Sequence, residues 1–380
     1  MEKMSMANSN KKVLICTGIF PPQIGGPATY SKLLLEKLPS RGIGIKVQSF
    51  GWVIKYPKII RHVLYFFKVL FSSFGCRIIY AQDPVSVGLS ALVVAKFTCK
   101  KFYLKIVGDY AWEQGLQRSG VTDLLDQFST EYDKYPFLVR VLKKVEFFVT
   151  NHADKIIVPS NYLKKIVINW GINGDKIQVI YNAFHAPDFH GTRDEMRKKF
   201  NINFPMIISV GRLVSWKGFD TLISLMKDIS KKVKGVKLYI VGDGPDKDYL
   251  ANCVKKNGTE DLVVLTGKMK QNDLFEYIKA SDLFVLNTSY EGLSHQLLEV
   301  LYLEVPILCS DAGGNIEVIN SGLNGELFKY NDKETIKNSI INILKNKEIA
   351  DKYVEKGKEK LDFFGKERML REITNVLKNS

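Results

Sequence analysis

Residues 280–310, ASDLFVLNTSYEGLSHQLLEVLYLEVPILCS, read in turn as strand, loop, helix and strand. DLFVLNT (282–288) and PILCSD (306–311) are apolar runs of strand length, and the segment between them opens on a Gly292-Leu293-Ser294 turn. The loop and helix carry two carboxylates eight positions apart, Glu291 just before the helix start and Glu299 two turns into it. A helix start offers four free N–H groups and favours an anion. Glu291 would be held near that anion without being able to pair with it. The arrangement suits a phosphate ligand that carries hydroxyls, with one glutamate at each end.

The same alternation of short apolar strands and longer helical patterns extends outward in both directions. Strands are expected at KVLICTGIF (12–20), GIKVQSFG (44–51), RIIYAQD (77–83), KFYLKIVGD (101–109), ADKIIVPS (153–160) and KIQVIYNAF (176–184). A second set follows at 205–213, 236–244, 262–268, 282–288 and 306–311, and the chain from about Lys333 is helical and charged. This order predicts an α/β protein with two doubly wound parallel sheets. AFHAPDFHGT (183–192), with its proline, glycine and polar residues, is the expected linker. The expected domains are 1–185, with a C-terminal helix near 363–380 packing back on it, and 190–362. Ligands of such sheets bind at the carboxyl ends of strands, so a cleft between two facing sheets is the expected site.

The length of 380 residues suits two domains. The N-terminus, MEKMSMANSNKK, has no apolar signal-peptide core, and residues 1–10 are expected to be disordered. No run approaches the roughly 18–20 apolar residues of a membrane span. Cys16, Cys76, Cys99, Cys253 and Cys309 form no CxxC pair and read as buried thiols of a reducing compartment. The five histidines show no metal spacing, so no protein-held metal is expected. The net charge of +15 is uneven: residues 1–190 hold 25 Lys+Arg against 13 Asp+Glu. A basic N-terminal half implies an acidic partner: nucleic acid, an anionic membrane or an anionic substrate. No helix-turn-helix, zinc or RNP signature favours nucleic acid.

Several motifs fall at strand ends. Gly25-Gly26, in PPQIGGP after the first strand, would let backbone N–H groups approach an anion; a plain strand–helix turn is the ordinary alternative. In GRLVSWKG (211–218), Arg212 offers a planar fork and Lys217 a point charge, which together suit a diphosphate. Gly242-Asp243-Gly244-Pro245 is too short for a dinucleotide fingerprint, and no Walker lysine follows. Gly267-Lys268 ends a strand where main chain could meet a planar base edge. Asp109 and Glu113 follow the fourth strand, either as catalytic carboxylates or as helix-start charges. Residues 55–77, KYPKIIRHVLYFFKVLFSSFGCR, read equally as an interfacial membrane helix or as a buried helix with basic ends.

Taken in order, GRLVSWKG…VGDGP…LTGK…YEGLSHQLLE…GG resembles glycosyltransferase family 4, and the resemblance spans nearly the whole chain. It implies the GT-B fold of two facing Rossmann-like domains, an N-terminal half for the acceptor and a C-terminal half for a nucleotide-diphosphate sugar. It implies retaining transfer in which Arg212 and Lys217 hold the diphosphate, Glu299 the ribose hydroxyls and Glu291 the donor sugar. Backbone groups of Ser294, His295, Gln296 and Leu297 would meet the phosphate, with Gly211, Gly267 and Lys268 beside the nucleotide and Gly25 and Gly26 opposite. The chain has Gly292-Leu293-Ser294 where many members have Gly-Phe-Gly. It has Gly108-Asp109 where many have a histidine, so Asp109 is the candidate to contact the transferred sugar.

On this reading no protein nucleophile and no obligatory metal or other cofactor is needed. The cations and the helix start would stabilise the leaving diphosphate, and the phosphate itself would accept the acceptor's proton. The acceptor is expected to be a glycan or phospholipid-linked sugar used in cell-surface polysaccharide synthesis. The protein is expected to be cytoplasmic and peripheral on the inner face of the cytoplasmic membrane, with no nucleic-acid partner. A GT-B-like sugar-nucleotide epimerase and a non-catalytic sugar-nucleotide-binding protein are the rival readings. The first lacks a convincing acid/base pair, and the second leaves the Arg-Lys-Glu-Glu set unused.

Overall fold

A computed structural model describes residues 12–379 except Ile24, His185, Pro187 and Asp188, and it describes no side chains for Lys58 and Ile59. The expectation for residues 1–10 therefore lies outside the described residues. The chain forms two compact units. One runs to Asn182 and takes back the chain from Lys366 onward; the other spans Ala183–Gly365.

The first unit contains strands β1 (Lys12–Thr17), β2 (Gly44–Ser49), β3 (Ile78–Ala81), β4 (Lys101–Lys105), β5 (Lys155–Val158) and β6 (Ile177–Val179). Its helices are α1 (Gly26–Lys37), α2 (Lys58–Ser73), α3 (Leu89–Phe97), α4 (Tyr110–Arg118), α5 (Leu125–Thr130), α6 (Phe137–Asn151) and α7 (Asn161–Asn169). All strands are parallel in the order β2-β1-β3-β4-β5-β6. Parallel strands need crossover helices, so both sheet faces are covered and the strands run apolar. Accordingly Val13–Cys16 and Ile156–Val158 are fully buried.

The second unit contains α8 (Arg193–Lys199), β7 (Met206–Val210), α9 (Phe219–Lys232), β8 (Lys237–Val241), α10 (Lys247–Asn257), β9 (Val263–Gly267) and α11 (Gln271–Ala280). Then come β10 (Leu283–Leu286), α12 (His295–Tyr302), β11 (Ile307–Ser310), α13 (Asn315–Val318), β12 (Glu326–Phe328), α14 (Lys333–Lys345) and α15 (Lys347–Asp362). Its parallel sheet has the order β12-β11-β10-β7-β8-β9. A last helix, α16 (Lys366–Lys378), belongs to the first unit, where Glu367 pairs with Arg41 at 2.5 Å.

Every strand expected from the sequence is present but shorter at its carboxyl end, because the chain leaves the sheet there to build loops. β12 was not expected. It is three residues long, holds Glu326 and sits at the sheet edge, so no apolar run marks it. Cys99 is exposed and does not meet the expectation of buried thiols. In each sheet the strand order reverses at one point, between β1 and β3 and between β7 and β10. Loops diverge there and leave a crevice at the strand ends.

Candidate active site

In the second unit, β7 and β10 flank the reversal, and the loops after them carry Arg212, Lys217 and Glu291. The Lys217 ammonium is ion-paired with the Glu291 carboxylate, and both side chains are largely shielded from solvent. The Lys217 stem passes Gly211: a Cβ added there would lie 3.7 Å from Lys217 Cδ and Cε. Lys217 therefore links the β7 turn to the β10 loop, and Arg212, the residue after Gly211 in that turn, is exposed.

Both loops are fixed from behind by side chains that the sequence reading did not single out. Lys217 sits on a short 3-10 turn, Ser215–Lys217, that ends on Gly218 in left-handed backbone. Asn287, at the end of β10 and fully buried, donates from Nδ2 to the Gly218 carbonyl at 3.0 Å and to Asn331 Oδ1 at 2.7 Å. Its Oδ1 accepts from the Asn331 N–H at 3.0 Å. The Ser289 N–H donates to the Trp216 carbonyl at 2.9 Å. Thr288 and Ser310 are tied by a bond from the Thr288 N–H to Ser310 Oγ at 3.1 Å and another from that hydroxyl to the Thr288 carbonyl. The only signal for these residues was their place at strand ends.

Behind Glu291 lies the Gly313-Gly314 pair, which appeared in the resemblance without a role. The Gly314 N–H donates to the Glu291 carbonyl at 2.7 Å. A Cβ at Gly313, whose φ is +59°, would fall 2.1 Å from that same oxygen. Only glycine permits this approach.

On the other side of β7, the Gly242-Asp243-Gly244 turn packs main chain to main chain on the Gly211–Leu213 turn. A Cβ on Gly242 would come within 1.8 Å of the Gly211 carbonyl oxygen, and the Leu213 N–H donates to the Asp243 carbonyl at 3.1 Å. This motif, too short for a dinucleotide fingerprint, is the wall of a cavity of about 430 Å³. Gly211, Arg212, Gly242, Lys268, Met269 and Leu274 line that cavity. The Gly267 carbonyl accepts from the Gly242 N–H at 3.0 Å. Gly267 is thus spent on the wall, and Lys268 reaches the opening.

α12 starts at Ser294, whose hydroxyl accepts from the Leu297 N–H at 3.4 Å. This corrects one expectation: the cap already uses the Leu297 N–H, and the Leu297 side chain is core. His295 and Gln296 are the first two residues of the helix. Glu299 lies one helical turn past His295 on the same side of α12. It is half-buried, has no side-chain partner among the described residues, and burial pushes its carboxyl up to about 7.

The remaining expected residues are in the first unit. Gly25 is the residue before α1 and Gly26 is its first, at the β1 side of that unit's reversal point. Asp109 is fully buried. Its Oδ1 accepts from the Trp112 N–H at 2.8 Å, which caps α4, and burial raises its carboxyl to about 6. Glu146 of α6 lies beside it, accepting from the Tyr110 N–H at 2.8 Å. Burial, then the Asp109 charge, holds Glu146 well above the usual carboxylate range. The expectation that Asp109 touches the transferred sugar therefore gives way to a helix cap, because no part of Asp109 reaches the surface. Among the described residues no group of three or more His, Cys, Asp or Glu is placed to hold a metal.

Two parallel sheets, each with a strand-order reversal, define the class of doubly wound α/β proteins, which bind ligands in the crevice at that reversal. Two family profiles match the chain: Glycosyltransferase Family 4 over residues 35–186 and Glycosyl transferases group 1 over 192–360. The chain belongs to glycosyltransferase family 4, of GT-B fold. It is similar to an uncharacterised glycosyltransferase of Methanocaldococcus jannaschii, with 25% identity covering 97% of this chain and 98% of the relative. A second such protein of that organism is 29% identical over 57% of this chain, and the match spans 56% of the relative's length. An N-acetylgalactosamine-N,N'-diacetylbacillosaminyl-diphospho-undecaprenol 4-alpha-N-acetylgalactosaminyltransferase of Campylobacter jejuni is 26% identical, over 66% of this chain and 67% of the relative. Among solved structures, HepE of Anabaena in complex with UDP shares the fold at a TM-score of 0.74 and 18% identity, covering 97% of this chain and 100% of that one.

Proposed function

We propose that the protein is a retaining hexosyltransferase that moves a sugar from a nucleotide-diphosphate sugar to a glycan or lipid-linked acceptor in cell-surface polysaccharide synthesis. The observation that carries this reading is the Lys217–Glu291 pair, whose lysine stem passes Gly211, a lining residue of the cavity that also holds Arg212 and Lys268. A planar base would occupy the cavity that the packed Gly211 and Gly242 turns wall, against Met269 and Leu274. Its diphosphate would meet Arg212, Lys217 and the first turn of α12. Glu299, half-buried and unpartnered, would take the ribose hydroxyls, and Glu291 the sugar. HepE of Anabaena has been solved with UDP and with UDP-glucose, which supports a nucleoside-diphosphate donor of this kind. The Campylobacter relative's name specifies a diphospho-undecaprenol acceptor, which supports a lipid-phosphate acceptor here.

In the mechanism, charge separates as the glycosidic bond to the diphosphate breaks. Arg212, Lys217 and the α12 N–H groups would receive the negative charge, and fixed donors do so without reorganisation cost. The acceptor hydroxyl attacks from the same face, and the leaving phosphate takes its proton. No protein nucleophile and no metal is required. The protein acts at the inner face of the cytoplasmic membrane; among the described residues no helix is long and apolar enough to cross it.

Incubation with a panel of sugar nucleotides, with and without EDTA, tests this. Nucleotide release with a retained anomeric configuration in the product is expected, unchanged by the chelator. Epimerised sugar nucleotide without release, or binding without turnover, would replace the transferase reading. Loss of activity in EDTA restored by magnesium or manganese would overturn the metal-free scheme.

A further inference from the structure

We propose that the outward face of α2, α3 and α6 in the first unit is a docking surface for an anionic lipid bilayer. This rests on the membrane reading above and names the surface that serves it. Along α2, the exposed residues Ile60, Val63, Phe67 and Phe71 recur every three or four positions, and exposed Phe74 continues the stripe. The opposite side of α2 buries Tyr65 and Val69 in the core. α3 exposes Leu89, Val93 and Phe97 at every fourth position while burying Leu92 and Val94. A helix that is apolar all round belongs inside a protein or a membrane, yet Phe97 is 77% exposed. α6 adds Phe137, at 75%, with Val141 and Phe148. α2 packs on α3 and α3 on α6, so the three stripes share one side of the sheet. Single exposed apolar residues are ordinary, but a patch spanning three helices marks an interaction site.

Charge selects the occupant. The sequences of α2, α3 and α6 hold seven Lys+Arg and one acid, Glu146, which is buried. One exposed lysine stands beside each stripe: Lys68 three residues before Phe71, Lys96 three after Val93, and Lys144 three after Val141. Between Glu36 and Asp109 the chain has twelve Lys+Arg against Asp83 alone. Apolar side chains sunk below the headgroups, with lysines reaching up to lipid phosphates, are the pattern of an interfacial helix. A second copy of this chain would set two like-charged faces together, which repels.

The test is co-sedimentation of the full-length protein with vesicles of phosphatidylcholine alone or mixed with phosphatidylglycerol. The wild type should pellet with the anionic vesicles at low salt and be released by high salt. A Phe71→Ser/Phe97→Ser double variant and a Lys68→Ala/Lys96→Ala/Lys144→Ala triple variant should each lose most of that binding. Both should keep the thermal midpoint and the vesicle-free rate of nucleotide release. The charge variant serves if the apolar one fails to fold. Wild-type protein that stays in the supernatant, or variants that pellet like wild type, would overturn the proposal. So would a wild-type dimer that the Phe variants convert to monomer, or vesicle binding that an acidic protein partner replaces at this face. Absence of nucleotide release without vesicles counts against the transferase reading and leaves the vesicle result standing.

Discussion

The ammonium of Lys217 is held against the carboxylate of Glu291, 74 positions further along the chain. Each neutralises the other before any donor is present. A diphosphate entering the crevice would compete for Lys217 and turn Glu291 toward the sugar. Lys217→Ala and Arg212→Ala should each lower turnover by about two orders of magnitude, since each removes a charge that meets the leaving group. Glu291→Gln should lower the rate with little change in nucleotide affinity. Steady-state kinetics on the purified variants check this, and near-normal turnover in either cation variant would remove the diphosphate assignment.

Glu299 should make donor binding depend on pH. Burial raises its carboxyl to about 7, so the folded protein holds this proton where the unfolded chain has already released it. The stability it contributes is complete below the unfolded value and is lost as pH rises through about 7. Binding of ribose hydroxyls by the carboxylate should run the other way and strengthen over the same interval. Calorimetric titration of a nucleoside diphosphate from about pH 6 to about pH 8 should show rising affinity in the wild type. Glu299→Gln should bind more weakly with a flat profile, and a parallel slope in both proteins would exclude Glu299.

Asn287→Ala should be costly although Asn287 touches no expected ligand. The change strands the Gly218 carbonyl in a buried place and removes the acceptor of the part-buried Asn331 N–H. An unsatisfied buried group costs about 1–3 kcal/mol, so the urea midpoint should fall. Turnover should fall as well, because the turn carrying Lys217 loses its anchor. A variant with unchanged midpoint and rate would show that the turn is held by other contacts.

Asp109 separates capping from catalysis. Asp109→Ala should destabilise by about 1–2 kcal/mol through loss of the α4 cap, and Asp109→Ser should restore part of that. Once folded, Asp109→Ser should turn over at close to the wild-type rate. A large drop in rate at unchanged stability would return Asp109 to the sugar.

How much could be read beforehand differs by residue. Arg212, Lys217 and Glu291 could be singled out as candidates because charged residues after apolar strands stand where a parallel sheet opens its crevice, and Glu299 because it follows a helix start. Asn287, Ser310 and Asn331 were not, since polar residues at strand ends are common and their bonds join segments far apart in sequence. Asp109 looked the same from sequence whether it capped a helix or faced a ligand; burial against Glu146 and Trp112 separates the two.

The sequence by itself determined the two parallel sheets, since the period and length of its apolar runs dictate which segments become strands and which become crossover helices. It also determined the basic charge of the first half. Only the tertiary structure decided that Lys217 meets Glu291, that Gly242 and Gly313 are backbone contacts, and that the apolar stripes of α2, α3 and α6 lie side by side facing out. Those facts depend on which segments pack together, and packing is a property of distances between residues that the order of residues along the chain does not contain.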